Sequence, residues 1–187
     1  DPNDFPDAVT DAVFRRIVAV LRLAVPYTGM IVSTRESQRS RELVLDVGVS
    51  QLSGGSKTSV GGYAEGIEDA EESAQFDISD NRTLDEIVGW LLELGYVPSF
   101  CTACYREGRT GDRFMSLAKR GLIGNCCAPN ALMTLAEYLE DYASPNVKLL
   151  GKKMIAEQAQ IIPSEKVRRI TQSNLEEIVK GKRDFRF

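Results

Sequence analysis

Apolar positions repeat at helical spacing over residues 10–25, TDAVFRRIVAVLRLAV, where Val13, Ile17, Val20, Leu21 and Ala24 share one face. Thr10 is suited to cap this helix and Pro26 to stop it. The short apolar run Gly29-Met30-Ile31-Val32-Ser33 predicts a buried strand. Ser37 to Asp46 predicts a charged amphipathic helix closed by Gly48, and Val49 to Ser53 a second short strand. Helix, strand, helix, strand is the order of parallel βα units, yet two strands are fewer than a parallel sheet needs. Residues 54–82 read as loop, with Gly54-Gly55, Gly61-Gly62 and an acidic stretch over Glu65–Glu72. Thr83-Leu84-Asp85-Glu86 is a capping box that opens a helix with Ile87, Leu91 and Leu94 on its apolar face. Tyr96 to Phe100 is extended, and Pro98 limits it to an edge strand. Beyond Cys127 the pattern is helical. Pro129 lies in a first turn, and Leu132, Leu135, Leu139 and Tyr142 share a stripe. A further helix is predicted over Lys148 to Gln160. Pro163 and Ser164 mark a turn, and Ser173-x-x-Glu176 predicts the start of a short last helix ending at Gly181.

Composition narrows the classes. The 187 residues suffice for one large domain or two small ones, with 43% apolar and 27% charged residues. No apolar run approaches the roughly 18–20 residues that span a bilayer. A net charge of −4 with interspersed signs argues against a nucleic-acid binder. There is no histidine, which removes His-based triads, imidazole zinc sites and His acid–base catalysis from this chain. The chain opens Asp1-Pro2-Asn3-Asp4 without Met, so it is expected to be a piece of a longer protein or a processed product.

The four cysteines, Cys101, Cys104, Cys126 and Cys127, fall close together. A secreted disulfide framework usually spreads its cysteines through a smaller chain. Buried free thiols are the plain structural alternative. Zinc takes four such ligands, but adjacent Cys126 and Cys127 are expected to point apart and fit its paired spacing poorly. An iron–sulfur cluster accepts three thiolates, which Cys101, Cys104 and Cys127 supply with Cys126 left over. Between them stand Arg106, Arg109, Arg113, Lys119 and Arg120, which either offset the cluster's negative charge or form an ordinary solvated face. Spacing alone does not separate these alternatives.

The block PSFCTACYREGRTGDRFMSLAKRGLIGNCCAPNALMTLAEYLEDYA (Pro98–Ala143) resembles the C-terminal portion of the HydG family of FeFe-hydrogenase maturases. These are radical S-adenosylmethionine (SAM) tyrosine lyases related to the thiazole-synthesis enzyme ThiH. The resemblance extends through YTGMIVSTRES, VSQLSGGSKTSVGGY, IPSEKVRR and GKRDFRF, essentially the whole chain. It implies an α/β fold: the last βα units of a radical SAM TIM-type barrel over residues 1–82, then a mostly helical extension over 83–187. The Cys-x2-Cys-x22-Cys pattern of Cys101, Cys104 and Cys127 distinguishes this family from the ThiH branch. It implies an auxiliary 4Fe-4S cluster with one open iron and an additional labile iron. The full-length parent is implied to carry SAM and a second 4Fe-4S cluster, and to break tyrosine into p-cresol and dehydroglycine. The latter yields CO and cyanide, which leave with iron and cysteine as a synthon for the hydrogenase. Other hydrogenase maturation proteins are the implied partners, in bacterial cytoplasm or plastid stroma. The SAM-cluster motif Cys-x3-Cys-x2-Cys is absent here, so the chain carries no catalytic residues of its own and is expected to be inactive alone.

Arg35 ends the first strand, where barrel active sites lie, and the resemblance implies that it clamps the tyrosine carboxylate, with Ser53 placed similarly on the second strand. The plain alternative pairs Arg35 with Glu36 or Glu42 on the surface. Gly54-Gly55-Ser56-Lys57-Thr58 lacks the phosphate-loop order and reads as a flexible rim. Tyr63 and Tyr105 are read as packing rather than pocket residues. From a different class, the competing function is a non-catalytic iron–sulfur or zinc binding module.

Overall fold

The computed structural model describes residues 8–64 and 74–187, so the acidic stretch over Glu65–Glu72 lies outside the described residues. The chain divides into two compact units, Asp1–Thr83 and Leu84–Phe187.

The first unit begins with α1 (Asp11–Ala24), capped by Thr10, whose side chain accepts from Val13 N. Next come β1 (Ile31–Val32), α2 (Gln38–Leu45), capped by Ser37, and β2 (Gln51–Leu52). The strands pair in parallel, Ile31 with Gln51 and Val32 with Leu52. Arg22 ties the end of α1 to the α2–β2 turn. Its Nε and Nη2 donate to Gly48 O at 3.0 and 2.6 Å, and its Nη1 donates to the carbonyls of Pro26 and Thr28. Gly48 is required twice over: its φ is +106°, and a Cβ there would stand 2.8 Å from Arg22 Nε. At the other end Ser40 Oγ donates to Asp11 at 2.6 Å.

The apolar stripe of α1 does not enter a core. Val13, Ile17, Val20 and Leu21 are exposed, and Val18, off that stripe, is the buried residue of the helix. Ile31 on β1 is 67% exposed. Among the described residues the strands form a two-stranded sheet and no barrel, and most of the structure is helical.

The second unit is helical: α3 (Leu84–Glu93), α4 (Ala103–Arg106), α5 (Asp112–Lys119), a 3-10 turn (Leu122–Asn125), α6 (Cys127–Asp141), α7 (Pro145–Gln160) and α8 (Glu165–Val179). Its core gathers Val88 and Leu92 of α3, Leu132, Leu135 and Leu139 of α6, Ile155 of α7 and Ile178 of α8. Each such side chain contributes about 1.5–3 kcal/mol by leaving water. Gly151 lets α7 approach α6 closely, since a Cβ there would lie 2.5 Å from Leu139 Cδ1. Asp85 accepts from Tyr138 OH and from Ser144 N, both at 3.2 Å, joining α3 to α6 and to the entry of α7.

Three local expectations are corrected. Tyr96 to Phe100 is not a strand; its Phe100 N–H donates to the Thr134 side chain and its ring stacks on Tyr138 at 5.0 Å. Ser173-x-x-Glu176 does not open a helix. It lies inside α8, which Ser164 caps and which buries Thr171 and Ile178 on either side of Ser173. Tyr142, placed on the apolar stripe of α6, is exposed.

Candidate functional site

The cysteines belong to two segments of the second unit. Cys101 and Cys104 lie at and just inside α4, whose Ala103 is buried. The Phe100–Tyr138 stack and the Phe100–Thr134 hydrogen bond fasten this segment to α6. Cys126 and Cys127 stand where α6 begins, and α6 is held by the core through Leu132, Leu135 and Leu139.

All four thiols are free and half-buried. Cys126 and Cys127 do not point apart as expected. The backbone at Cys126 is non-helical (φ −129°, ψ −49°), and the two sulfurs come within 3.8 Å. Burial pushes the Cys127 thiol up to about 12, and Cys126 adds to this, followed by Cys104 and Cys101. Both cysteine segments are therefore within electrostatic reach of Cys127. The Ala103 N–H donates to Cys101 Sγ at 3.4 Å. Among the described residues no three His, Cys, Asp or Glu side chains converge closely enough to hold a single metal ion.

Of the basic residues between the cysteines, Arg106, Arg109 and Arg113 have partners of their own. Arg106 grips Asp184 through both guanidinium nitrogens, and Arg109 Nη2 donates to the main-chain oxygen of Phe187. Arg113 donates to Gly108 O at 3.3 Å. Glu107 receives Arg186 at 2.8 Å. These tail contacts were not legible in the sequence, because the partners stand 57 to 79 positions apart.

The first unit carries a separate pocket of about 490 Å³, lined by Arg35, Ser53, Lys57, Tyr63 and Phe76 among others. Arg35 and Ser53 thus line one cavity at the ends of the two strands. Arg35 makes no ion pair among the described residues; its guanidinium lies 3.9 Å over the Phe76 ring, a cation–π contact. Tyr63 lines the same cavity and its hydroxyl accepts from Lys57 N at 2.9 Å, but Tyr63 and Tyr105 are both exposed rather than packed as expected. Sequence reading missed what holds this pocket. Arg41, fully buried, pairs with buried Asp80 and donates from Nη2 to Ser53 O. Arg82 adds two bonds to Asp80, at 2.8 and 2.6 Å. The Ser79 and Asp80 N–H groups donate to Thr34 O, next to Arg35. Hydrogen bonds from Arg82, against the opposing effect of burial, hold the Asp80 carboxyl down at about 2. Burial lowers the Arg41 pKa, and Asp80 counters the shift.

The geometry can be set beside known proteins. The Biotin and Thiamin Synthesis associated domain matches residues 2–97. A solved structure of HydG, described as a maturase of the FeFe-hydrogenase, superposes with a TM-score of 0.90 at 52% identity. That match covers 98% of this chain and 39% of the HydG chain. HydG from Carboxydothermus hydrogenoformans superposes with a TM-score of 0.67 at 36% identity, over 92% of this chain and 35% of that one. The chain thus spans well under half the length of these relatives. No curated protein matches it. No helix among the described residues is long and apolar enough to cross a membrane. The chain belongs to the Biotin and Thiamin Synthesis associated domain family, and within it resembles the HydG maturases of FeFe-hydrogenase.

Proposed function

We propose that this chain is the C-terminal portion of a radical SAM tyrosine lyase and holds that enzyme's auxiliary iron–sulfur cluster. The observation that carries this reading is that Cys101, Cys104 and Cys127 are free and half-buried, with Cys104 and Cys101 within electrostatic reach of Cys127, in a chain 52% identical to HydG. The thiols would hold a 4Fe-4S cluster with Cys101, Cys104 and Cys127 as ligands and Cys126 alongside. A cubane spreads its thiolates over different irons, so its ligands stand farther apart than those around one ion. The 52% identity to HydG favours a cluster over the competing zinc module. When bound, the cluster supplies an open iron, the site where the labile iron destined for the hydrogenase would be loaded. The chain's own part is to orient the thiols and to keep them half-shielded from water.

In the parent, tyrosine would be cleaved to p-cresol with release of CO and cyanide, using SAM and a second cluster absent from this chain, with cysteine completing the iron product. Arg35 and Ser53 would face the tyrosine. Arg35 offers its fork to the carboxylate while Phe76 holds the guanidinium plane. Residues 1–82 would be the last βα units of the parent's barrel and 83–187 the cluster domain. The exposed stripe of α1 and the open two-stranded sheet support this, since both are surfaces that more strands and helices would cover. The partners would be other maturation proteins, in bacterial cytoplasm or plastid stroma.

The test is anaerobic reconstitution of the chain with ferrous iron and sulfide, followed by iron, sulfide and zinc analysis. Iron and sulfide are expected to bind, and Cys101→Ala, Cys104→Ala and Cys127→Ala to abolish binding while Cys126→Ala retains it. Stoichiometric zinc without sulfide would overturn the reading.

A further inference from the structure

The tail Lys182–Phe187 folds back onto both cysteine-bearing segments. On one side Arg106, Glu107 and Arg109 hold it: Arg106 through Asp184, Glu107 through Arg186 at 2.8 Å, and Arg109 through the Phe187 main-chain oxygen. On the other side Asn130, in the first turn of α6 and 3% exposed, clamps the Phe187 backbone. Its Oδ1 accepts from Phe187 N at 2.9 Å and its Nδ2 donates to Phe187 O at 3.4 Å. The Phe187 oxygen therefore takes hydrogen bonds from both segments at once. Each anchor is one backbone hydrogen bond away from a cysteine. Arg109 N donates to Cys104 O at 2.7 Å, and Asn130 N donates to Cys126 O at 3.1 Å.

We infer that this tail is a positioning strap for the cysteine site, fixing the separation of the Cys101–Cys104 segment from Cys127. The inference rests on the cluster reading above. A surface ion pair such as Arg106–Asp184 contributes little to global stability, so the strap is not needed for the fold of the unit, whose core lies in α3, α6, α7 and α8. Its effect is local. The Cys101–Cys104 segment is carried by a helix of one turn, and without the tail it depends on the Phe100 contacts for its distance from α6. Groups that orient metal ligands from outside the ligand set typically change retention of the metal about 10-fold to 100-fold.

The full chain, reconstituted with ferrous iron and sulfide, is challenged with a ferrous chelator, and loss of the cluster absorbance is timed. Arg106→Gln and Asp184→Asn are each expected to lose iron about 10-fold faster than the parent chain, with unchanged far-UV circular dichroism. The double variant should be no worse than Asp184→Asn alone, because that substitution already deletes the Arg106 contact together with the Arg186 one. Asn130→Ala should be at least as severe, and the reduced cluster's electron paramagnetic resonance line shape should broaden in all four. Equal loss rates and line shapes in parent and variants would overturn the strap while leaving the cluster reading intact. A parent chain that takes up no sulfide would instead overturn the cluster reading, and the strap with it. Should Asn130→Ala fail to fold, the exposed Arg106 and Asp184 variants decide the matter.

Discussion

The buried pair Arg41–Asp80 gives a quantitative prediction about the pocket that Arg35 and Ser53 line. Asp80→Asn keeps the shape of the side chain and removes its charge, and with it the ion pairs to buried Arg41 and to Arg82. The Asp80 carboxyl sits at about 2 in the folded chain against an ordinary 3.8. That difference of about 1.8 pH units, at about 1.36 kcal/mol each, corresponds to about 2.4 kcal/mol at neutral pH. Breaking a buried ion pair from one side costs about 3–5 kcal/mol, so the substitution should cost about 2–4 kcal/mol once Asn retains some hydrogen bonding. Because the folded value is the lower one, this stability is present above pH 3.8 and drains away as pH falls toward 2. By pH 3 about half of it should be gone. The assay is amide hydrogen exchange at pH 7. The Ser79 and Asp80 amides, bonded to Thr34 O, and the Ser53 amide, bonded to Val32 O, should exchange at least about 30-fold faster in the variant, the equivalent of 2 kcal/mol. Acid titration of unfolding should show the gap between parent and variant closing below pH 4. Unchanged protection at pH 7, or a gap that stays constant down to pH 2, would refute the reasoning.

Other outcomes follow from packing and exposure. Gly151→Ala forces a Cβ into Leu139 and should lower the stability of the helical unit by about 1–3 kcal/mol, read by urea denaturation followed by Trp90 fluorescence. Leu139→Ala, in the same contact, should cost about 2–5 kcal/mol. Ile17→Lys on the exposed stripe of α1 should change the stability of this chain by no more than about 0.5 kcal/mol, and should reduce its self-association in light scattering. A large loss of stability from Ile17→Lys would mean that the stripe is covered within the chain. Gly48→Ala should destabilise through both its positive φ and its contact with Arg22, visible as a lower melting temperature than Gly95→Ala, where the added Cβ meets nothing.

The parts of the fold that local chemistry decides were readable in advance. Thr10 caps the helix it is expected to cap, and the strands fall within the two short runs expected to form them. Signals of the same local kind failed where packing decided. Ser173-x-x-Glu176 satisfies the capping pattern, but helix α8 runs through it because Thr171 and Ile178 are both buried on its inner face. The apolar stripe of α1 was legible and its exposure was not, since periodicity reports a face and not what lies against it. The cysteine spacing named the thiols but not their surroundings. The contacts that fasten their neighbours, Arg106 to Asp184 and Asn130 to Phe187, join residues 78 and 57 positions apart. Arg41–Asp80, 39 positions apart, escaped for the same reason: nothing in the neighbourhood of a surface-looking arginine announces that it will be buried.

The double grip of Asn130 and Arg109 on Phe187 also sets an order of events in time. Phe187 is joined to the chain sixty residues after Cys127 and 83 after Cys104. At about 5–20 residues per second, the ribosome exposes the first thiols several seconds before it adds the residue that bridges their two segments. For the last sixty residues of that interval all four reduced cysteines are present without the contact that closes their surroundings. Iron delivered early would meet loosely held thiols, and iron delivered after release would meet a braced site. Cluster loading should therefore succeed best as a late step, on the finished chain rather than the growing one.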